Sequence, residues 1–176
     1  LAGEALEAAG YRRPNADVRV GTVLTGACLK MKVLLHACCG PCASHCINAL
    51  RDEGHDVTLF FSNANIAPDA EFHKRLDALR HVADHLKVPV LVDNPDHNDW
   101  LGTVAKGFEH EKEGGARCEC CFRYNLERTF RMMLQQGLDM FTTSLSVSPH
   151  KHTPAIFKAG QELDRKRFLA INFKKE

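Results

Sequence analysis

No stretch of this 176-residue chain is apolar for long enough to span a bilayer. Nothing in it combines a charged start, an apolar stretch and a small-residue cleavage site, so no secretory signal is visible. Net charge is only +1, which argues neither for nor against a polyanionic partner, so any nucleic-acid surface has to be a local patch. Internal repeats and low-complexity segments are lacking too, which excludes repeat arrays. These absences lead to the expectation of a cytoplasmic protein with no membrane partner. Thiols stay reduced there, so clustered cysteines read as metal ligands or catalysts rather than disulfides.

Cysteine is what the chain has in quantity. Of eight cysteines, seven fall into two tight clusters. The first is His36-Ala37-Cys38-Cys39-Gly40-Pro41-Cys42, with Cys46 one helical turn beyond; the second is Arg117-Cys118-Glu119-Cys120-Cys121-Phe122. Soft thiolates at Cys-x-x-Cys spacing select zinc, iron–sulfur clusters or redox chemistry.

The length suits one domain with a sizeable core. Residues 1–30 carry weak periodicity and read as an uncertain N-terminal extension; residues 31–176 read as the main domain. Within it, Val33–His36 is expected to be a buried strand, followed by a helix from about Cys42 to Glu53, with Pro41 in its first turn. Val57–Phe61 is a second strand. Asp69 is expected to cap a helix reaching about Lys87, with Phe72, Leu76, Leu79, Val82 and Leu86 at helical spacing. Val88–Val92 is a third strand, with Pro89 marking its start or an edge. A short helix over Asp99–Lys106, a long one over Cys118–Gln136, a strand over Met140–Thr143, a helix over Pro154–Arg165 and a fifth strand over Phe168–Ile171 complete the order. Alternation at βαβ spacing predicts an α/β, Rossmann-like three-layer sandwich with a mainly parallel sheet of about five strands. The loops after strands one, two and four then open onto one rim, where ligands of such sheets bind.

The residues alone leave the chemistry open. Cys39-Gly40-Pro41-Cys42 spells a thioredoxin active-site tetrapeptide, and a helix N-terminus favours a thiolate. That leaves the second cluster unexplained. Cys39, Cys42, Cys118 and Cys121 form two Cys-x-x-Cys pairs able to give tetrahedral zinc, although the adjacent Cys38-Cys39 suits two neighbouring metal sites better. Arg117, Arg123, Arg128, His150, Lys151 and Lys158 could form a phosphate-contacting rim or a solvated helix face. His36 reads as a buried, hydrogen-bonded histidine, and Trp100 as core. Asn63 and Asn65 could bind substrate or close a turn.

Four ordered stretches carry a resemblance. Leu34-Leu35-His36-Ala37-Cys38-Cys39-Gly40-Pro41-Cys42 resembles the opening motif of the QueH-type epoxyqueuosine reductases. Leu59–Ile66, Gly114–Thr129 and Phe141–Lys151, the last containing Ser148, are similar to later stretches of the same family. The likeness covers about residues 31–176.

What the resemblance implies is an oxidoreductase that removes the epoxide oxygen of epoxyqueuosine at the tRNA wobble position, the last step of queuosine biosynthesis. It implies a [4Fe–4S] cluster with an adjacent mononuclear iron, an external electron donor, and tRNA as partner. On matching positions Cys38, Cys39, Cys118 and Cys121 are implied as thiolate ligands, with Cys42 where the family carries Cys or Asp near the single iron. Asn63, Asn65, Arg117, Arg123, Ser148 and Lys151 are the candidate substrate and tRNA contacts. Cys46 and Cys120 match no implied ligand, and Cys28 lies outside the match. The family pattern continues into a Tyr-Cys-Gly-Cys segment that these residues do not contain, so the expectation is a fragment of a longer reductase, or substitution by Cys46 or Cys120. A thioredoxin-like oxidoreductase and a zinc-stabilised RNA-binding module are the alternative readings.

Overall fold

The computed structural model describes residues 30–93 and 96–174. The expected N-terminal extension and Cys28 lie outside the described residues.

The sheet is built on β1 (Lys32–His36), whose last four residues are fully buried. An apolar run covered on both faces is what a central parallel strand requires. Val33 and Leu35 point into one core, and Leu34 into the other. β2 (Asp56–Phe61) and β4 (Met140–Thr143) pair parallel to β1 on either side, and β3 (Val90–Val92) pairs parallel to β2. The order is β3-β2-β1-β4. It reverses direction at β1/β4, the switch point where such sheets leave a crevice at their carboxyl ends.

Helices cover both faces. α1 (Gly40–Asp52) and α2 (Asp69–Leu86) enclose one core with Ile47, Leu50, Phe61, Phe72 and Leu79. After a short α3 (His97–Trp100) that runs into a wide turn over Leu101–Ala105, α4 (Ala116–Gln135) and α5 (Thr153–Asp164) enclose the other. That second core holds Leu34, Phe60, Leu126, Met133, Phe141 and Ile156. The three-layer α/β sandwich expected from the sequence is the architecture found. No helix among the described residues is long and apolar enough to cross a membrane.

Three expectations need correction. The sheet has four strands rather than five. The chain after α5 does run beside β4, with Phe141 N–H donating to Arg167 O and Leu169 N–H to Phe141 O, both at 2.9 Å. The pairing stops at a single Phe141–Phe168 bridge. There the Thr142 hydroxyl takes Leu169 O at 2.8 Å, and Ile171 N–H turns back onto the same carbonyl at 3.0 Å. Secondly, Pro68, not Asp69, occupies the cap position of α2; Asp69 and Glu71 sit in its first turn, where carboxylates complement the helix dipole. Thirdly, β3 begins at Val90: Pro89 offers only its carbonyl, which accepts from Leu59 N–H at 2.8 Å.

Candidate metal centre

The first cysteine cluster sits at the switch point. β1 ends at His36, a fully buried residue whose ring fixes the strand end. Ser62 O can only accept, so Nε2 carries the proton (3.2 Å), and Nδ1 accepts from the Thr143 hydroxyl at 2.9 Å. Burial holds the imidazole neutral, with its pKa pushed down to about 4. His36 thus ties β1 to the ends of β2 and β4, the buried, hydrogen-bonded role expected for it.

Beyond it the chain turns directly into α1, so Cys38, Cys39 and Cys42 stand on a helix start. Their sulfurs all lie within 4.8 Å of one another, and each is half-buried. Gly40 makes this approach feasible: a Cβ there would sit 2.7 Å from Ala78 O of α2. Cys38 is anchored by Ser144, just past β4. The hydroxyl Oγ accepts from Cys38 N–H at 3.3 Å and lies 3.8 Å from its sulfur.

Three thiols this close share protons unequally. Hydrogen bonds from Cys38 and then Cys42 hold Cys39 far below the ordinary thiol range. The same contacts push Cys38 and Cys42 up, Cys38 chiefly through Cys39 and Cys42 chiefly through Cys38. A soft cation would take the place of those shared protons, so the donor chemistry fits a thiolate-bound metal.

The second cluster opens α4. Glu111 Oε2 accepts from Arg117 N–H at 3.0 Å and caps the helix, and Gly115 leaves the space, since a Cβ there would meet that oxygen at 2.5 Å. Gly114, at φ 95°, takes the left-handed conformation that directs its N–H onto Cys118 Sγ at 3.2 Å. Cys121, one turn on, is pushed up by burial. Lys151 and Arg117 oppose that shift and favour its thiolate.

The two clusters border one rim. Cys38 and Cys118 pack against the same apolar core. The Asn125 amide donates to Cys121 Sγ at 3.6 Å and to Asn65 Oδ1 at 3.4 Å, joining α4 to the loop after β2. Among the described residues, however, only Cys38, Cys39 and Cys42 form a metal-sized group; Cys118 and Cys121 do not join it. Cys46 is fully buried in the α1/α2 core, where desolvation pushes its thiol up to about 12; Cys120 is exposed.

The other candidates divide. Asn63 is buried, with its amide donating to Ala37 O at 3.0 Å, whereas Asn65 is exposed. Arg117 is half-buried beside Cys121. Arg123 is exposed and pairs with Glu162 at 3.4 Å. Ser148 is half-buried, its carbonyl accepting from Lys151 N–H at 3.3 Å. The Lys151 ammonium lies 5.9 Å from the Phe122 ring centroid and 3.8 Å from Glu113. Trp100 is core, as expected. Arg128, a rim candidate, instead grips Asp93 at 2.6 Å, at the end of β3, and Ser62 at 3.2 Å.

Sequence reasoning missed Ser144, Asn125 and the Arg128–Asp93 pair. Only Asn125 carried a local signal: it stands four residues after Cys121, on the same helix face.

The family model for epoxyqueuosine reductase QueH matches residues 33–176. A curated epoxyqueuosine reductase QueH of Thermotoga maritima is 34% identical over 149 residues, covering 81% of this chain and 75% of that protein. The Streptococcus pyogenes serotype M1 protein of the same name is 31% identical over 156 residues, covering 84% of this chain and 60% of its own length. The chain thus spans about three fifths of that relative. Among solved structures, a predicted subunit of tRNA methyltransferase from Methanocaldococcus jannaschii superposes with a TM-score of 0.55 at 14% identity, over 79% of this chain and 66% of that one. That likeness speaks for the fold alone. Matched over most of its length, with both cysteine clusters inside the matched region, this chain belongs to the epoxyqueuosine reductase QueH family.

Proposed function

We propose that this chain carries the reductive centre of an epoxyqueuosine reductase. The reaction converts epoxyqueuosine in the tRNA wobble position to queuosine. The epoxide oxygen leaves as water, two electrons and two protons are consumed, and the electrons come from an external donor. The observation that carries the reading is the group of three thiols at the switch point of the sheet, within the stretch that matches the family.

Cys38, Cys39, Cys118 and Cys121 would hold a [4Fe–4S] cluster, and Cys42 a neighbouring single iron. When bound, these groups supply the electron relay and a Lewis acid for the epoxide oxygen. The chain's own residues keep the ligands in place. His36 locks the end of β1, Gly40 lets α1 close against α2, and Ser144 holds the Cys38 backbone. Gly114 N–H and the Asn125 amide hold Cys118 and Cys121 in place respectively. Arg117 and Lys151 lie on the α4 side of the rim, where they would meet the phosphates of the RNA, with Arg123, Ser148 and Asn65 as further contacts. Residues 31–176 would form this domain, acting in the cytoplasm.

The test is direct. Protein prepared without oxygen is analysed for iron and acid-labile sulfide, then given epoxyqueuosine-containing tRNA and a low-potential reductant. Iron with sulfide and conversion to queuosine support the reading. A colourless zinc protein with no turnover would overturn it.

A further inference from the structure

Beyond the carboxyl end of β2 lies an open cavity of about 480 Å³, a volume in the range of small-ligand sites. Its walls come from the loop after β2, the first turns of α2, and the segment around α3. Two buried apolar side chains, Ile66 and Phe72, form part of its wall. The polar wall is rich in acceptors. Asp69 and Asp96 bring carboxylates. Asp96 uses Oδ1 to accept from Asn98 N–H at 2.8 Å, which leaves its other oxygen. His97 is pinned: its ring stacks on Trp100 at 5.7 Å, and Nδ1 lies 2.6 Å from Ala64 O. A carbonyl can only accept, so Nδ1 carries a proton. Among the described residues, no lysine or arginine lines the cavity.

This wall suits a group with several hydroxyls or an ammonium, and it repels phosphate. One wall of the cavity is tied to the turn that carries Cys38. Asn63, part of its wall, donates to the carbonyl of Ala37, the residue before Cys38. Arg75, one turn along α2 from Phe72, acts electrostatically on Cys39.

We propose that this cavity binds the hydroxyl- and amine-bearing nucleoside portion of the substrate, with Asp69 and Asp96 as its specificity-determining acceptors. This rests on the proposed function. The phosphodiester backbone would run instead along the Arg117–Lys151 side of the rim, so nucleoside and backbone are sorted by charge.

The experiment titrates metal-loaded protein, without oxygen, with queuosine nucleoside, guanosine and inorganic phosphate, while following the side-chain resonances of His73 and His97 in the cavity wall. Queuosine should shift both and saturate, guanosine should bind at least about tenfold more weakly, and phosphate should leave them unmoved. Asp69→Asn and Asp96→Asn should each weaken queuosine binding about tenfold, the loss expected for a charge-assisted hydrogen bond. Asn retains capping ability at position 96, so the helix start is kept. Unmoved resonances, equal shifts by phosphate, or full affinity in both variants would each overturn the proposal. Turnover of epoxyqueuosine-containing tRNA is measured in parallel. Saturable queuosine binding without turnover would sink the reductase reading and leave the cavity assignment standing; turnover without binding here would do the reverse.

Discussion

The two cysteine clusters are built on different physics. In the first, three sulfurs lie within 4.8 Å of one another, and the Cys38 thiol donates to Cys39 Sγ at 3.9 Å. In the second, the supporting groups are not thiols: a backbone N–H reaches Cys118, while a lysine and an arginine favour charge on Cys121. The first is local, since β1, a three-residue turn and a helix start deliver all three thiols. The second depends on packing, because Lys151 comes from the loop after β4. Disturbing one thiol should therefore matter most in the first cluster, and disturbing the tertiary frame most in the second.

The largest expected effect tests the first half of that contrast. Cys39→Ser removes one of the three clustered sulfurs, and should abolish iron binding and turnover together. Cys120→Ser, at an exposed position, should change neither. Iron per chain, measured without oxygen, decides it; unchanged iron in the Cys39 variant would contradict the ligand assignment.

Next in size is the frame of the second cluster. Arg128 binds α4 to the end of β3 through Asp93, and its guanidinium sits 5.5 Å from the Tyr124 ring centroid. The pair is about three-quarters buried, with side-chain exposures of 31% and 23%. Removing one partner should cost about 2 kcal/mol, between the values for exposed and buried pairs. Arg128→Ala should therefore lower the urea midpoint by about 1 M and weaken metal retention through α4. A midpoint unchanged within error would show that the pair is merely a surface contact.

This contrast also decides what the sequence could reveal. The βαβ order, both helix faces and the first thiol group are written in local patterns: an apolar run at β1, Pro41 in the first turn of α1, and Cys-Cys-x-x-Cys spacing. The false fifth strand was an apolar run, Phe168–Ile171, whose ladder is broken by the Thr142 hydroxyl. Likewise Ser144 against Cys38, Asn125 against Asn65, and Arg128 against Asp93 join residues far apart in the chain. No spacing rule reaches such pairs; the family resemblance covers those residues but assigns them no partners.

Gly40 sharpens the comparison at smaller scale. In a thioredoxin-like reading its place between Cys39 and Pro41 belongs to redox chemistry; here it belongs to packing. Gly40→Ala gains up to about 1 kcal/mol of helix propensity but pushes a methyl against Ala78 O, and overpacking costs about 1–3 kcal/mol. A net loss of about 1 kcal/mol is expected, with metal affinity falling as α1 shifts. A variant more stable than the parent, with full metal affinity, would show that α2 yields freely.

The smallest effect concerns Lys151. Its ammonium is 29% exposed, leans over Phe122 and faces Glu113 at 3.8 Å, and it favours charge on Cys121. One lysine could therefore serve the metal centre, the RNA or both. A phosphate contact releases about one counterion, so Lys151→Ala should flatten the dependence of log affinity on log salt by about one unit while binding weakens modestly. Support for Cys121 alone would instead change metal retention and leave that slope untouched. Measuring tRNA affinity across a salt series, beside iron content in the same preparations, separates the two. An unchanged slope with lost iron would assign Lys151 to the second cluster alone and move the RNA track toward Arg117.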